Sequence, residues 1–252
     1  MKTNTHVAAP QRQDEVLGLV QTRLMGAQRD TLERFVARYF GQVDPEDLEE
    51  RAPADLYGAA LSHWNFARRR TPGQARVRVF NPTIDEHGWQ STHTIVEIVN
   101  DDMPFLVDSV TMEVNRHGLT LHLIIHPIVA VQRGTDDTLH DVAADDAPGT
   151  RHESFIHVEV DRVVEPRRLD ALAADIARVL VDVRLAVTDW KKMQDEVVAI
   201  GAEIDARPPA LPAEEIAEAK AFLAWFRTGH FTFLGYRRHD LVGDGRPALR
   251  RR

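Results

Sequence analysis

The hydrophobic period of this 252-residue chain changes near Arg76, and that change limits the fold more than any other feature of the sequence. Upstream, apolar residues recur three and four apart, as on one side of a helix. Val16, Leu17, Val20 and Leu24 form one such stripe. Leu32, Phe35, Val36 and Tyr39 form a second, with Asp30 placed to cap it and Gly41 to stop it. Asp44-Pro45 opens a short helical turn, and residues 53–70 read as a further helix with Leu56, Tyr57, Ala60, Leu61 and Trp64 inward. Thr71-Pro72-Gly73 ends it. From Arg76 to Phe80 the residues alternate, as on a strand with one wet face.

Downstream, residues 92–100 are rich in β-branched side chains and read as a strand. Pro104 then starts a helix with Leu106, Val107, Val110 and Val114 as its stripe and Gly118 as a left-handed stop. Residues 119–131 read as one long strand, residues 133–150 as a long mobile loop, and residues 152–161 as a strand. On that last strand Ile156, Val158 and Val160 face one side, and His157, Glu159 and Asp161 the other. Residues 167–206 are helical, with a break expected near Thr188-Asp189 or Gly201. The run ARPPALP is a linker, followed by a helix over 213–228 and a strand over 230–239. Residues 1–11 are expected to lack order. Strand, helix, strand, strand, helix is most of the split βαβ plan, so the fold class is α+β: a ferredoxin-like βαββα(β) sheet with a helical preface and a long helical region after it. The remaining strand comes from residues 76–80 or from 230–239; periodicity does not choose. The expected domains are 1–73 (helical), 74–206 (sheet) and 207–252 (linker and the truncated start of a further domain).

The chain lacks cysteine, which excludes disulfides, thiolate metal sites and a cysteine nucleophile, and fits a reducing cytoplasm. A net charge of -8 argues against nucleic acid as a partner. The start has no apolar run of the signal-peptide kind, and no stretch approaches the roughly 20 apolar residues that span a bilayer. A membrane partner is therefore not expected.

Twelve histidines invite a metal reading. His122 and His126 have the spacing of a zinc-binding helix, but their segment reads as extended, which separates them by roughly 13 Å. No metal is expected there. Asp101 and Asp102, just before a helix, favour its dipole more than they suggest a carboxylate pair for acid–base work. Ser109 lacks a Gly-x-Ser-x-Gly elbow. There is no Gly-x-Gly-x-x-Gly and no P-loop. Arg68, Arg69 and Arg70 read as the solvated end of a helix, and Phe222, Leu223, Trp225 and Phe226 as helix core.

Three segments carry a resemblance. NDDMPFLVDSVTMEVNRHGLTLHLIIHP (100–127), HESFIHVEVDR (152–162) and AFLAWFRTGHFTFLGYRRHDL (221–241) resemble, in the same order, the N-terminal region of the large bacterial NAD-specific glutamate dehydrogenases. The resemblance implies ACT-like domains serving regulation and assembly. It also implies no catalytic residue and no cofactor in this segment, with NAD bound elsewhere in the full-length enzyme. Implied partners are other domains of the same chain, further copies in a homo-oligomer, and an amino-acid effector. The ACT effector loop often reads Asp-x-Pro-Gly-Leu. Here Asp101, Asp102, Met103, Pro104, Phe105 and Leu106 occupy it, and Phe105 replaces the glycine that lets a ligand approach the backbone. The alternatives are a stand-alone ACT-type amino-acid-sensing or protein-interaction module, and a small hydrolase, for which no nucleophile motif is present.

Overall fold

A computed structural model describes residues 12–143, 147–242 and 248–251. Residues 1–11, expected to lack order, lie outside that set. Residues up to Val181 form one compact unit and residues from Asp182 another.

The first unit opens with helices α1 (Arg12–Arg23), α2 (Gly26–Phe40), α3 (Pro45–Glu49) and α4 (Pro53–Ala67). Asp44 caps α3 through the amide of Glu46 at 3.0 Å, with Pro45 at the first helical position. Asp30 does not cap α2. The helix starts earlier, because Ala27, Gln28 and Arg29 are strong helix formers and Gly26 makes the preceding turn at a φ of 61°.

Then follow β1 (Arg76–Phe80), α5 (Ile84–His87), β2 (Thr94–Asp101), α6 (Leu106–Arg116), β3 (Leu121–Ile125), β4 (Ile128–Arg133), β5 (Leu139–Val142), β6 (Arg151–Val160) and α7 (Pro166–Ala206). The sheet is antiparallel, in the order β1-β2-β6-β4-β5. Ten-residue β6 is its axis. One side pairs with β2 from Thr94↔Val160 to Asp101↔Glu153. The other pairs with β4 along its first half and β3 along its second. The single strand expected over 119–131 is thus two, broken at His126-Pro127. Pro127 has no N–H for the ladder, but its carbonyl accepts from Phe155 N at 3.0 Å. The expected loop over 133–150 also contains a strand: β5 folds back on β4 because Leu139 and Val142 bury against α2. The place beside β2 left open by the sequence belongs to β1. Gly118 stands at a φ of 70°, in the left-handed region expected of it.

Both faces of the sheet are covered. Val99, Leu123, Ile125, Val129, Val131 and Phe155 share one core with Val16, Val20, Phe35, Val36 and Ala60 of the preface helices. The alternate residues Val96, Ile98, Ile156, Val158 and Val160 are fully buried on the opposite face. The buried stripes of α6 (Leu106, Val110, Val114) and early α7 (Leu172, Ile176, Leu180) remain to cover them. Arg116 of α6 joins Asp175 of α7 at 2.7 Å.

In the second unit α7 runs unbroken through Thr188-Asp189 and Gly201. Helix α8 (Ala213–Trp225) has no buried residue, so Phe222 and Trp225 are not core as expected; each is about half exposed. The expected strand over 230–239 is instead a π-turn (Phe226–His230) followed by unpaired chain, and β7 (His239–Val242) pairs only with β8 (Ala248–Arg251). Among the described residues no helix is long and apolar enough to cross a membrane.

Candidate functional site

The turn from Asp101 to Leu106 links the end of β2 to α6. Phe105 precedes the helix at a φ of 69°, and its carbonyl accepts from Ser109 N at 3.1 Å. This is the conformation a glycine adopts without cost, and a residue with a Cβ holds it at about 1–2 kcal/mol. The ring neither blocks the helix start nor enters the core; it is 49% exposed, while Leu106 turns inward. Both acidic residues already have partners. Asp101 accepts from Arg70 Nη2 at 2.6 Å and from Gly73 N at 2.9 Å. Asp102 accepts from Ser154 Oγ at 2.8 Å, and its amide donates to His152 O at 3.1 Å. Met103 is half-buried and Pro104 exposed.

Arg70 is the first correction to the expected surface. Arg68 and Arg69 are exposed, but the Arg70 side chain is fully buried. It donates to Glu153 at 2.7 Å, and Arg133 donates to both oxygens of the same carboxylate at 2.7 Å. Burial pulls the Arg70 pKa down, but Glu153 and Asp101 more than restore it, so the guanidinium stays charged. Arg133 also donates to Ala67 O and Asp137 O. The cluster therefore ties α4, β2, β4, β6 and the β4–β5 turn together.

Further along the same sheet face lie His63, Glu97 and His157, all buried, with potential ligand atoms within 4.8 Å of one another. They do not fit a metal. His63 Nε2 faces Ile98 O at 3.1 Å, and a carbonyl can only accept, so Nε2 carries the proton and Nδ1 accepts from the Tyr39 hydroxyl at 2.9 Å. Burial, helped by the charge of His157, holds the His63 pKa well below its usual value, and the ring is neutral. Arg78 donates to one oxygen of Glu97, and burial raises the Glu97 pKa against that pull. Two ligand atoms remain, Glu97 Oε1 and His157 Nδ1, fewer than an ion needs. Glu113, His117 and Asp175 are likewise close together but are occupied by Arg116 and Arg178. His122 pairs with Asp161 at 2.8 Å, apart from His126.

Between the turn after α3, α4 and the sheet lies a cavity of about 420 Å³. Its polar wall is Arg51, Trp89, His93, His157 and Glu159. Arg51 Nη2 donates to Glu159 at 2.5 Å, and His93 Nδ1 stands 3.4 Å from the same carboxylate. Burial works to raise the Glu159 pKa, but His157 and Arg51 overcome it and hold it at about 2. Trp89 Nε1 and His157 Nδ1 are buried without a hydrogen-bond partner. Sequence reasoning missed this site. Its one local signal is the pair His157 and Glu159, polar residues that alternate with Ile156, Val158 and Val160 on β6.

The family model for the glutamate dehydrogenase ACT1 domain matches residues 35–176. Curated relatives are NAD-specific glutamate dehydrogenases. That of Halomonas elongata is 41% identical over 91% of this chain and 14% of its own length. That of Pseudomonas aeruginosa is 35% identical over 83% of this chain and 13% of its own length. That of Mycobacterium tuberculosis is 25% identical over 77% of this chain and 12% of its own length. The chain thus spans a small fraction of the length of the curated relatives it matches.

Proposed function

The chain belongs to the glutamate dehydrogenase ACT1 family, and on that premise we propose that it is the non-catalytic, N-terminal regulatory and assembly segment of an NAD-dependent glutamate dehydrogenase. The whole enzyme would oxidise glutamate to 2-oxoglutarate and ammonium in the cytoplasm, with NAD bound by other domains. The observation that carries the reading is the extent of the match. Residues 35–176 take in α4, the entire sheet, α6 and the first turns of α7.

The strand arrangement supports an ACT-like role. β6 lies between β2 and the β3–β4 pair, antiparallel to both, as the third strand of a ferredoxin-like sheet lies between the first and second. β1 fills the fourth position from the front of the chain instead of the back. Neighbouring domains and further copies of the chain are the partners in this reading, and an amino acid is the effector.

Two measurements test it. Titration of this chain with NAD in a calorimeter should give no heat, and micromolar binding would overturn the reading. The long enzyme shortened by residues 1–252 should keep glutamate-dependent NADH formation while its oligomeric state or effector response changes. A folded shortened enzyme without turnover would place catalytic residues here and sink the proposal.

A further inference from the structure

Glu113, His117 and Asp175 meet where the end of α6 lies against early α7. The His117 amide donates to Glu113 O at 3.1 Å, so one helical turn presents both side chains on the same face, and Asp175 reaches them from α7. His117 Nε2 stands 3.3 Å from Glu113 Oε1 and 3.0 Å from Asp175 Oδ2, and the three groups offer atoms within 4.8 Å of one another. Atoms that share a tetrahedral ion at about 2.0–2.2 Å lie about 3.3–3.5 Å apart. Both spacings to His117 are therefore close to those of a ligand set.

We propose that this trio binds a first-row divalent transition ion such as zinc, with Glu113, His117 and Asp175 as ligands and water completing the shell. A cation already stands between the two carboxylates: Arg116 Nη2 donates to Glu113 Oε1 and to Asp175 Oδ2. That guanidinium is a displaceable placeholder. Its side chain is 57% exposed, so it can swing into water, and a partly exposed ion pair is worth little. A divalent ion in its place brings two charges to two carboxylates, where the guanidinium brings one. Glu113 is 6% exposed, and a carboxylate so buried needs a firm partner. The C-terminal end of α6 adds the negative pole of the helix dipole, which favours a cation. Arg178 holds Asp175 through the other oxygen, Oδ1, at 2.8 Å, so it need not leave and would orient that ligand from outside the shell. The buried His63 trio lacks this freedom, because Tyr39 and Ile98 hold both nitrogens of the His63 ring. The donor set also selects the ion. Imidazole suits zinc, copper and nickel, whereas magnesium and calcium take shells of six or more oxygens. His117 Nε2 faces two carboxylate oxygens and so carries a proton, which the ion would replace. Two ligands stand at the end of α6 and one on α7, so the ion would pin these two elements together. The inference does not rest on the regulatory reading above.

The test titrates this chain with Co²⁺, whose visible absorption is strong in a four-coordinate protein site and weak in water, and then displaces it with Zn²⁺. One equivalent of Co²⁺ should develop the absorption saturably, and Zn²⁺ should bleach it. Zn²⁺ at a hundred times its Kd should raise Tm by roughly 5–10 °C, and a chelator should reverse the rise. Mg²⁺ and Ca²⁺ should do neither. The variants are checked for folding by circular dichroism. His117→Gln should weaken binding by at least about a hundredfold, more than the loss of an outer partner does. His122→Gln, at another histidine beside a carboxylate, should leave it unchanged. Arg116→Gln removes the competing guanidinium and should tighten binding by roughly fivefold, an effect in the opposite direction from any loss of fold. Absence of the cobalt absorption would overturn the site, and so would an absorption that survives in His117→Gln, which would place the ion elsewhere. An Arg116→Gln variant that folds and binds no tighter would show that guanidinium and metal do not share the place, and would overturn it equally.

Discussion

Phe105 holds a backbone angle that a side chain disfavours, and its ring obtains little burial in return. Glycine there would remove about 1–2 kcal/mol of left-handed cost and lose about 0.5–1 kcal/mol to the freedom of the unfolded chain. Phe105→Gly should therefore leave stability unchanged or raise it by up to about 1.5 kcal/mol, whereas branched Phe105→Val should lower it by about 1 kcal/mol. Urea unfolding decides, and a loss greater than about 1 kcal/mol in the glycine variant would show that the ring supports the turn. His63 makes a second residue-scale test. Its folded pKa lies below the unfolded value of 6.5, so the unfolded state takes up a proton that the folded state refuses. The stability due to a neutral His63 is fully present above pH 6.5 and is lost as pH falls below it. A glutamine amide can accept from Tyr39 and donate to Ile98 as the ring does. His63→Gln should thus flatten the fall in stability between pH 6.5 and 5 by about one proton's worth of slope, read by unfolding across that range. Glu159 acts lower. With a folded pKa of about 2 against 4.5, its stabilisation is complete above pH 4.5 and drains as pH falls toward 2. Unchanged slope in His63→Gln would mean that the ring already accepts a proton in the fold.

Helix α4 approaches the loop before β2 so closely that a Cβ on Gly58 would overlap the Trp89 Cβ. Alanine in a helix interior ordinarily gains about 1 kcal/mol over glycine, while overpacking a core costs about 1–3 kcal/mol. The overlap is with the base of a buried side chain that cannot swing away, so the cost wins. Gly58→Ala should lower Tm by several degrees, and a higher Tm would show that α4 and Trp89 are not in such contact. Elements of this kind divide by what sequence can reveal about them. The preface helices, β2, α6 and β6 were legible because their periods are local properties. The two-sided burial of the sheet was not. On β2 and β6, Glu97, Glu153, His157 and Glu159 alternate with apolar residues, which is the pattern of a wet face, yet all four are buried. Their partners Arg51, Arg70, Arg78 and Arg133 lie up to 108 residues away, and no local rule brings them together. The Asp102–Phe105 turn could be found because its signature is contiguous. The cavity could not, because the end of α2, the turn after α3, α4, the loop before β2 and the strands β3 and β6 each contribute to it. β5 escaped for a different reason: four residues between acidic turns carry too short an alternation to be seen.

At the scale of the molecule, the sheet does not offer a bare face to a neighbour, since the chain's own preface covers what an isolated βαββα sheet would expose. That moves the exposed apolar surface to other places. In the unit from Asp182, Val198, Leu211, Phe222, Trp225, Phe231 and Leu234 are all close to half exposed or more, and α8 buries nothing. A helix of 13 residues without tertiary packing is marginal in water, because nucleation is costly and little burial offsets it. Stacking of Phe222 with Trp225 and the bridge from Lys220 to Asp205 are exposed or partly exposed contacts, worth little against that cost. β6 is the opposite case: it is paired on both edges and covered on both faces, so its amides open only when the first unit unfolds. Hydrogen exchange of this chain, read by mass spectrometry, should show α8 within about a hundredfold of free-peptide rates. Residues 155–158 of β6 should exchange at the limit set by global unfolding, which for a domain of ordinary stability is slower by a factor on the order of a million. Added urea should speed β6 exchange steeply, since its opening exposes the whole core, and leave α8 almost unaffected, since its opening exposes nothing new. Protection of α8 comparable to that of β6 would mean that its aromatic surface is covered in solution, and self-association of the chain, measured by the concentration dependence of that protection, would then identify the cover.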